Sequence, residues 1–111
     1  MALAELAALA DDAAIPQSYR QLATLKRVII GGPDLPMAER EAALSALAQP
    51  GVPFRPLAME QLTVLRIEAG DRDGAVQILR DITNEPEATA GLRRRASQLM
   101  VVLGAEPAPA G

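Results

Sequence analysis

The sequence predicts an all-α fold of about six helices in antiparallel pairs, wound as a right-handed array. Three observations carry that expectation. Half of the 111 residues are hydrophobic but only 2% are aromatic. The core must therefore come from Ala, Leu, Ile, Val and Met, which suits close-packed helices better than a sheet. Apolar residues also recur at helical spacing between breaks that contain Pro or Gly. Finally, a pentad of aromatic or Leu, then Arg, two residues, then Ala, occurs three times. It reads Tyr19-Arg20-Gln21-Leu22-Ala23, Phe54-Arg55-Pro56-Leu57-Ala58 and Leu92-Arg93-Arg94-Arg95-Ala96, at spacings of 35 and 38 residues. A period in the mid-thirties is the length of a helix–turn–helix repeat.

The first helix is expected from Ala2 to about Asp11, with Leu3, Leu6, Ala7 and Ala10 on one face. Asp11 and Asp12 end it, since carboxylates are disfavoured at the negative end of the helix dipole. The second runs from about Pro16 to Ile30 on a seam of Leu22, Leu25 and Ile29, with Tyr19, Ala23 and Ile30 beside it. Its first turn tolerates proline, and Ser18 with Gln21 offers a capping box two residues on. Gly31-Gly32-Pro33 stops it.

The third helix begins near Leu35-Pro36 and ends near Gln49, burying Ala43, Leu44, Leu47 and Ala48 and leaving Glu39, Arg40 and Glu41 in water. Pro50-Gly51-Val52-Pro53 follows. The fourth spans roughly Phe54 to Ala69 on a seam of Ala58, Leu62, Leu65 and Ala69. Gly70 closes it in the left-handed conformation, and Asp71 caps the fifth, where Ala75, Ile78, Leu79 and Ile82 face inward. After the break at Asn84-Glu85-Pro86, the sixth helix covers about Thr89 to Leu103. Its buried stripe is Leu92, Ala96, Leu99, Met100 and Leu103, with Arg93, Arg94, Ser97 and Gln98 solvated. Residues 1–105 thus read as one helical repeat domain and 106–111 as a disordered tail.

Chemistry is scarce. The chain has neither Cys nor His, which removes the thiolate together with the commonest general base and metal ligand. Ser18, Ser45 and Ser97 have no imidazole to activate them, and Lys26 is the only lysine. The paired acids Asp11-Asp12, Glu39/Glu41, Asp71/Asp73 and Glu85/Glu87 lie at helix ends or on solvated faces, where electrostatics accounts for them. No enzymatic activity, no cofactor and no metal site are expected.

A net charge of −3 and a pI near 4.9 give no general attraction for nucleic acid or anionic lipid. No apolar run approaches the length of a membrane span, and the start lacks the pattern of a signal peptide. The basic cluster Arg93-Arg94-Arg95 sits in the first turns of a helix, where cations are mildly unfavourable. Glu85 and Glu87 are the expected compensation.

Residues 58–87 resemble a tetratricopeptide repeat. Leu62, Gly70-Asp71, Ala75, Leu79 and Ile82 match its small and large consensus sites, with Pro86 one place early. Thr63, Arg66 and Arg72 depart from the usual glycine, aromatic and tyrosine. Nearly the whole chain is similar to the carboxyl-terminal part of the tetratricopeptide-like ancillary subunits of the Sec translocon in Gram-negative bacteria. The residues that carry this are Pro-Phe-Arg-Pro-Leu-Ala at 53–58, Ala69-Gly70-Asp71 and Gly91-Leu92-Arg93-Arg94-Arg95-Ala96. The resemblance implies a periplasmic repeat domain on an inner-membrane protein whose membrane helix lies upstream of Met1, and a partner of the translocon and of periplasmic chaperones. A cytoplasmic location is the alternative.

With the pentad helices labelled A, the order is B, A, B, A, B, A. The chain then opens on a B helix without an A partner, as in a fragment of a longer protein or a homodimer that supplies the missing surface. If the A helices line the inner face, the partner-binding row is Leu25 and Ile29, then Glu60, Val64 and Ile67, then Arg95, Gln98 and Val102. The functional expectation is contact with a protein or peptide segment, with structural homo-oligomerisation as the alternative. Neither nucleic acid nor membrane contact by this chain itself is expected.

Overall fold

Every Pro- or Gly-containing break falls between helices. The computed structural model describes residues 3–105, which hold α1 (Leu3–Asp11), α2 (Gln17–Gly31), α3 (Met37–Leu47), α4 (Arg55–Glu68), α5 (Arg72–Thr83) and α6 (Ala90–Val102). A single 3-10 turn, Gly32–Asp34, follows α2, and there is no strand among the described residues. The expected helix start at Ala2 and the tail 106–111 lie outside them. The fold is all-α. Packing divides the chain into two compact units, Met1–Ala58 and Met59–Gly111, and the division falls inside α4.

In the first unit α1 lies along α2 and inserts Leu6, its one fully buried side chain. From α2 the core takes Ala23, Leu25 and Val28, and from α3 it takes Leu44 and Leu47. The start of α2 is set by Pro16 with no side-chain cap, so the Ser18–Gln21 capping box is not used. Its end needs two glycines for different reasons. A Cβ on Gly31 would come within 2.6 Å of Leu35 Cγ, whereas Gly32 adopts a φ of +47°, which side chains disfavour. An ion pair of 2.7 Å from Arg27 to Glu39 joins α2 to α3.

Arg40 corrects the sequence expectation. It is only 5% exposed, not solvated, and its Nε donates to the Leu35 carbonyl at 3.1 Å. Arg20 does the same on α2, donating from Nε to the Ile15 carbonyl at 3.1 Å. Both arginines stand four residues after the proline that precedes their helix, and both tie down a carbonyl of the incoming loop. A guanidinium supplies this charge-assisted bond while its stem covers apolar surface.

The second unit is built on the 70–82 stretch. At the end of α4, Asp71 N–H donates to the Arg66 carbonyl at 2.8 Å and Gly70 N–H to the Ile67 carbonyl at 3.0 Å, with Gly70 at φ +75°. These two bonds make a Schellman motif, which satisfies carbonyls that the helix end would otherwise leave open. Asp71 then accepts from Gly74 N–H at 2.9 Å and caps α5. The end of α6 repeats the motif, with Ala105 N–H donating to Met100, Gly104 N–H to Val101, and Gly104 at φ +81°.

Helices α5 and α6 are antiparallel. Arg72, which opens α5, donates from Nε to the Leu103 carbonyl just past the end of α6, at 2.6 Å. At the opposite end Thr89 caps α6 by accepting from Leu92 N–H at 3.1 Å, and Arg93 donates to the Glu85 carbonyl at 2.7 Å. Fully buried among the second unit's residues are Leu65, Ala75, Leu79, Ile82 and Met100, together with Thr63.

Thr63 and Met59 displace part of the seam expected on α4. Leu62 is only half-buried and Ala69, already in the turn, is exposed. Thr63 is admitted to the core because its hydroxyl donates to the Met59 carbonyl at 3.0 Å, one turn back, so only its methyl has to be packed. On α6, Leu99 and Leu103 are half-buried rather than buried, while Arg93, expected in water, is itself half-buried.

Candidate partner-binding surfaces

The three pentads open helices as expected. Their closing alanines, Ala23, Ala58 and Ala96, are all buried, as residues at close helix contacts must be. Phe54 lies one residue ahead of α4, and its carbonyl accepts from Ala58 N–H at 2.9 Å. Tyr19 and Leu92 are each the third residue of their helix.

The expected binding row separates by unit. In the second unit Glu60, Val64 and Ile67 follow one face of α4, and Val64 and Ile67 are 43% and 40% exposed. On α6, Arg95 and Gln98 are exposed and Val102 is 79% exposed, next to an exposed Val101. The structure brings the two strips together at one end. Arg95 donates from Nε and Nη2 to the two carboxylate oxygens of Glu60, at 3.0 and 3.2 Å. This bidentate pair links pentad helices 35 residues apart and holds the face of α4 beside that of α6. The hydrogen bond to Glu60, and then its charge, raise the Arg95 pKa above the ordinary guanidinium value. The row in this unit is thus aliphatic, with a charged pair at one end.

In the first unit the row fails in part. Leu25 is 2% exposed and belongs to the core, because α1 and α3 flank α2 and enclose the side that bears Leu25 and Val28. Only Ile29 of the expected pair reaches solvent. The basic cluster also resolves differently from the sequence expectation. Arg93 binds main-chain carbonyls of Glu85 and Pro86, and Arg95 takes its carboxylate from Glu60, far off in sequence.

Sequence reasoning missed a second surface. A groove of about 500 Å³ runs between α1 and α2, lined by Leu6 and Leu9 on one side and Tyr19, Leu22, Lys26 and Ile30 on the other. Ile15 closes one end. Tyr19 is 64% exposed, a large share for the chain's only tyrosine. The signal available beforehand was the unpaired first helix.

Among the described residues no group of three or more His, Cys, Asp or Glu is placed to hold a metal ion, and no helix is long and apolar enough to cross a membrane. Comparison with protein-family models, curated proteins and solved structures gives no match to the chain.

Proposed function

We propose that the chain is a non-catalytic protein-binding module of tetratricopeptide type, whose pentad helices receive a segment of a partner protein. The observation that carries this reading is the aliphatic row Val64, Ile67 and Val102, exposed on two helices that Glu60 and Arg95 hold together. Contiguous exposed apolar surface marks interaction sites, and an amphipathic helix binds by laying its apolar face into a hydrophobic groove. The charged pair at one end gives such a surface a means of fixing the register of its ligand.

In this reading the six helices form a right-handed superhelix. Its setting is the periplasmic face of a bacterial inner membrane, beside the translocon and its chaperones. That setting rests on the sequence resemblance.

The test is a pull-down with the full chain and two variants. Val64→Glu and Ile67→Glu place a charge on the row at positions already open to water, so circular dichroism should show both variants folded. They should lose the partners captured by the parent chain. Undiminished capture by both folded variants would remove the row from the binding site. A second reading, structural homo-oligomerisation, draws on the adjacent exposed Val101 and Val102. It requires a dimer in sedimentation that those same two substitutions dissociate.

A further inference from the structure

We infer that a cleft between α2 and α3 binds a small monocarboxylate that also carries an amide and a short aliphatic group, the chemistry of an N-acylated aliphatic amino acid. The cleft holds about 470 Å³, within the range of small-molecule pockets, and lies wholly in the first unit. One wall is polar and the other apolar. The polar wall is a single stripe of α2, where Gln17, Arg20, Gln21 and Thr24 follow at helical spacing. The apolar wall is Ala43, Ala46 and Leu47 of α3, with Val52 from the loop beyond.

Each part of the ligand answers one feature of the cleft. Arg20 is the only charged residue among those lining it, in a chain where acids outnumber bases 14 to 11. Its Nε is occupied by the Ile15 carbonyl at 3.1 Å, which holds the guanidinium in place. Its Nη atoms meet no acceptor among the described residues, so they present a forked pair of donors to one carboxylate. The Thr24 hydroxyl donates to the Arg20 carbonyl at 3.1 Å, one turn back, and recognition falls to the glutamines. The side chains of Gln17 and Gln21 make no bond to the described residues. Gln49, beyond the end of α3, donates from Nε2 to the Ser45 carbonyl at 3.0 Å and keeps its Oε1 as an acceptor. A carboxamide offers donors and an acceptor together, which a ligand amide meets with the complementary set. The alanine and valine wall takes the aliphatic group.

The surroundings restrict the ligand to one carboxylate. A neighbouring hollow shares Ala10, Thr24 and Ala43 with the cleft and is lined by Asp11 and Glu39. Glu39 is paired with Arg27 at 2.7 Å, whereas Asp11 repels a second anionic group placed on that side. The site stands apart from the row on α4 and α6, so its test and that of the row are independent.

The test is a titration of the full, nitrogen-15-labelled chain with N-acetylleucine, followed through the glutamine side-chain amide resonances. Those of Gln17, Gln21 and Gln49 should shift saturably with a Kd in the low millimolar range, as expected for so small a ligand. Gln61, Gln77 and Gln98, in the second unit, should stay in place. N-acetylleucinamide, which lacks the carboxylate, should bind about tenfold more weakly, the worth of a hydrogen bond to a charged group. N-acetylglutamate, with a second carboxylate for the aliphatic group, should give no saturable shift at the same concentrations. Arg20→Gln should abolish the preference for acid over amide. Ala46→Leu, at an exposed helical position, should fill the cleft and weaken both ligands while leaving the fold intact. Acetyl-triglycyl-leucine carries the same terminal chemistry on a peptide. Tighter binding than N-acetylleucine would assign the source to the end of a polypeptide and equal or weaker binding to a free acyl amino acid, and the inferred chemistry stands in both cases. No saturable shift, equal affinity for acid and amide, an undiminished preference in Arg20→Gln, or equal binding of 4-methylpentanoate, which lacks the amide, would overturn the proposal.

Discussion

Arg40 shows how a charged side chain becomes core material. Its Nε meets the Leu35 carbonyl at 3.1 Å, and its stem is enclosed with the rest of a residue that is 5% exposed. Removing the head leaves that loop carbonyl without its charge-assisted donor, and removing the stem opens a gap. Arg40→Ala should therefore lower stability by about 2 kcal/mol, in the range measured for hydrogen bonds to charged groups. Arg20 makes the same bond from a half-buried position, where water can replace the donor, so Arg20→Ala should cost about 1 kcal/mol or less. Urea unfolding with an unchanged slope gives both values from the midpoints. Equal losses would mean that burial does not set the worth of this contact.

At the scale of elements, the legible parts were those whose signals are local. Gly70, Asp71 and the following apolar stripe lie within one short stretch, and the Schellman turn and the Asp71 cap formed as that stretch predicts. The face of α4 was less legible because burial depends on neighbours remote in sequence. Thr63 counts as polar by residue type, yet a bond one turn back makes it a core residue. Leu25 counts as available by periodicity, yet α2 has neighbours on two sides and loses it to the core. The Glu60–Arg95 pair was invisible for the same reason, although both residues stood in the expected row.

The turn also yields a graded prediction. Gly70→Ala forces a side chain into φ +75° and should cost about 1 kcal/mol. Asp71→Ala removes the cap and should cost about 1 kcal/mol. Gly74→Ala drives its new Cβ against the Asp71 carboxylate and displaces the cap, but gains about 1 kcal/mol of helix propensity. The two effects oppose one another at similar size, so Gly74→Ala should be nearly neutral. Thermal midpoints of the three variants test the ranking, and a Gly74→Ala loss as large as that of Asp71→Ala would show that the cap matters more than propensity.

For the molecule as a whole, packing groups the chain into two compact units divided within α4. A repeat period says where helices recur but not how tightly successive helices associate, because that depends on which side chains meet. Composition does set one property of the whole. With no His and no Cys, no side chain has an ordinary pKa between the carboxylates and the basic or phenolic groups. The hydrogen bond to Glu60, and then its charge, hold the Arg95 pKa raised in the folded chain. A raised base stabilises the fold below its unfolded pKa and loses that contribution only as pH climbs through the folded value, far above neutrality. Stability should therefore be level from about pH 6 to 9. Salt acts differently, because the Glu60–Arg95 pair is solvent-exposed and open to screening. Binding on that row should weaken with added salt yet stay constant across the same pH interval. Titrating a captured partner at two pH values and two ionic strengths separates the effects, and a pH-sensitive, salt-insensitive affinity would place the contact away from this pair.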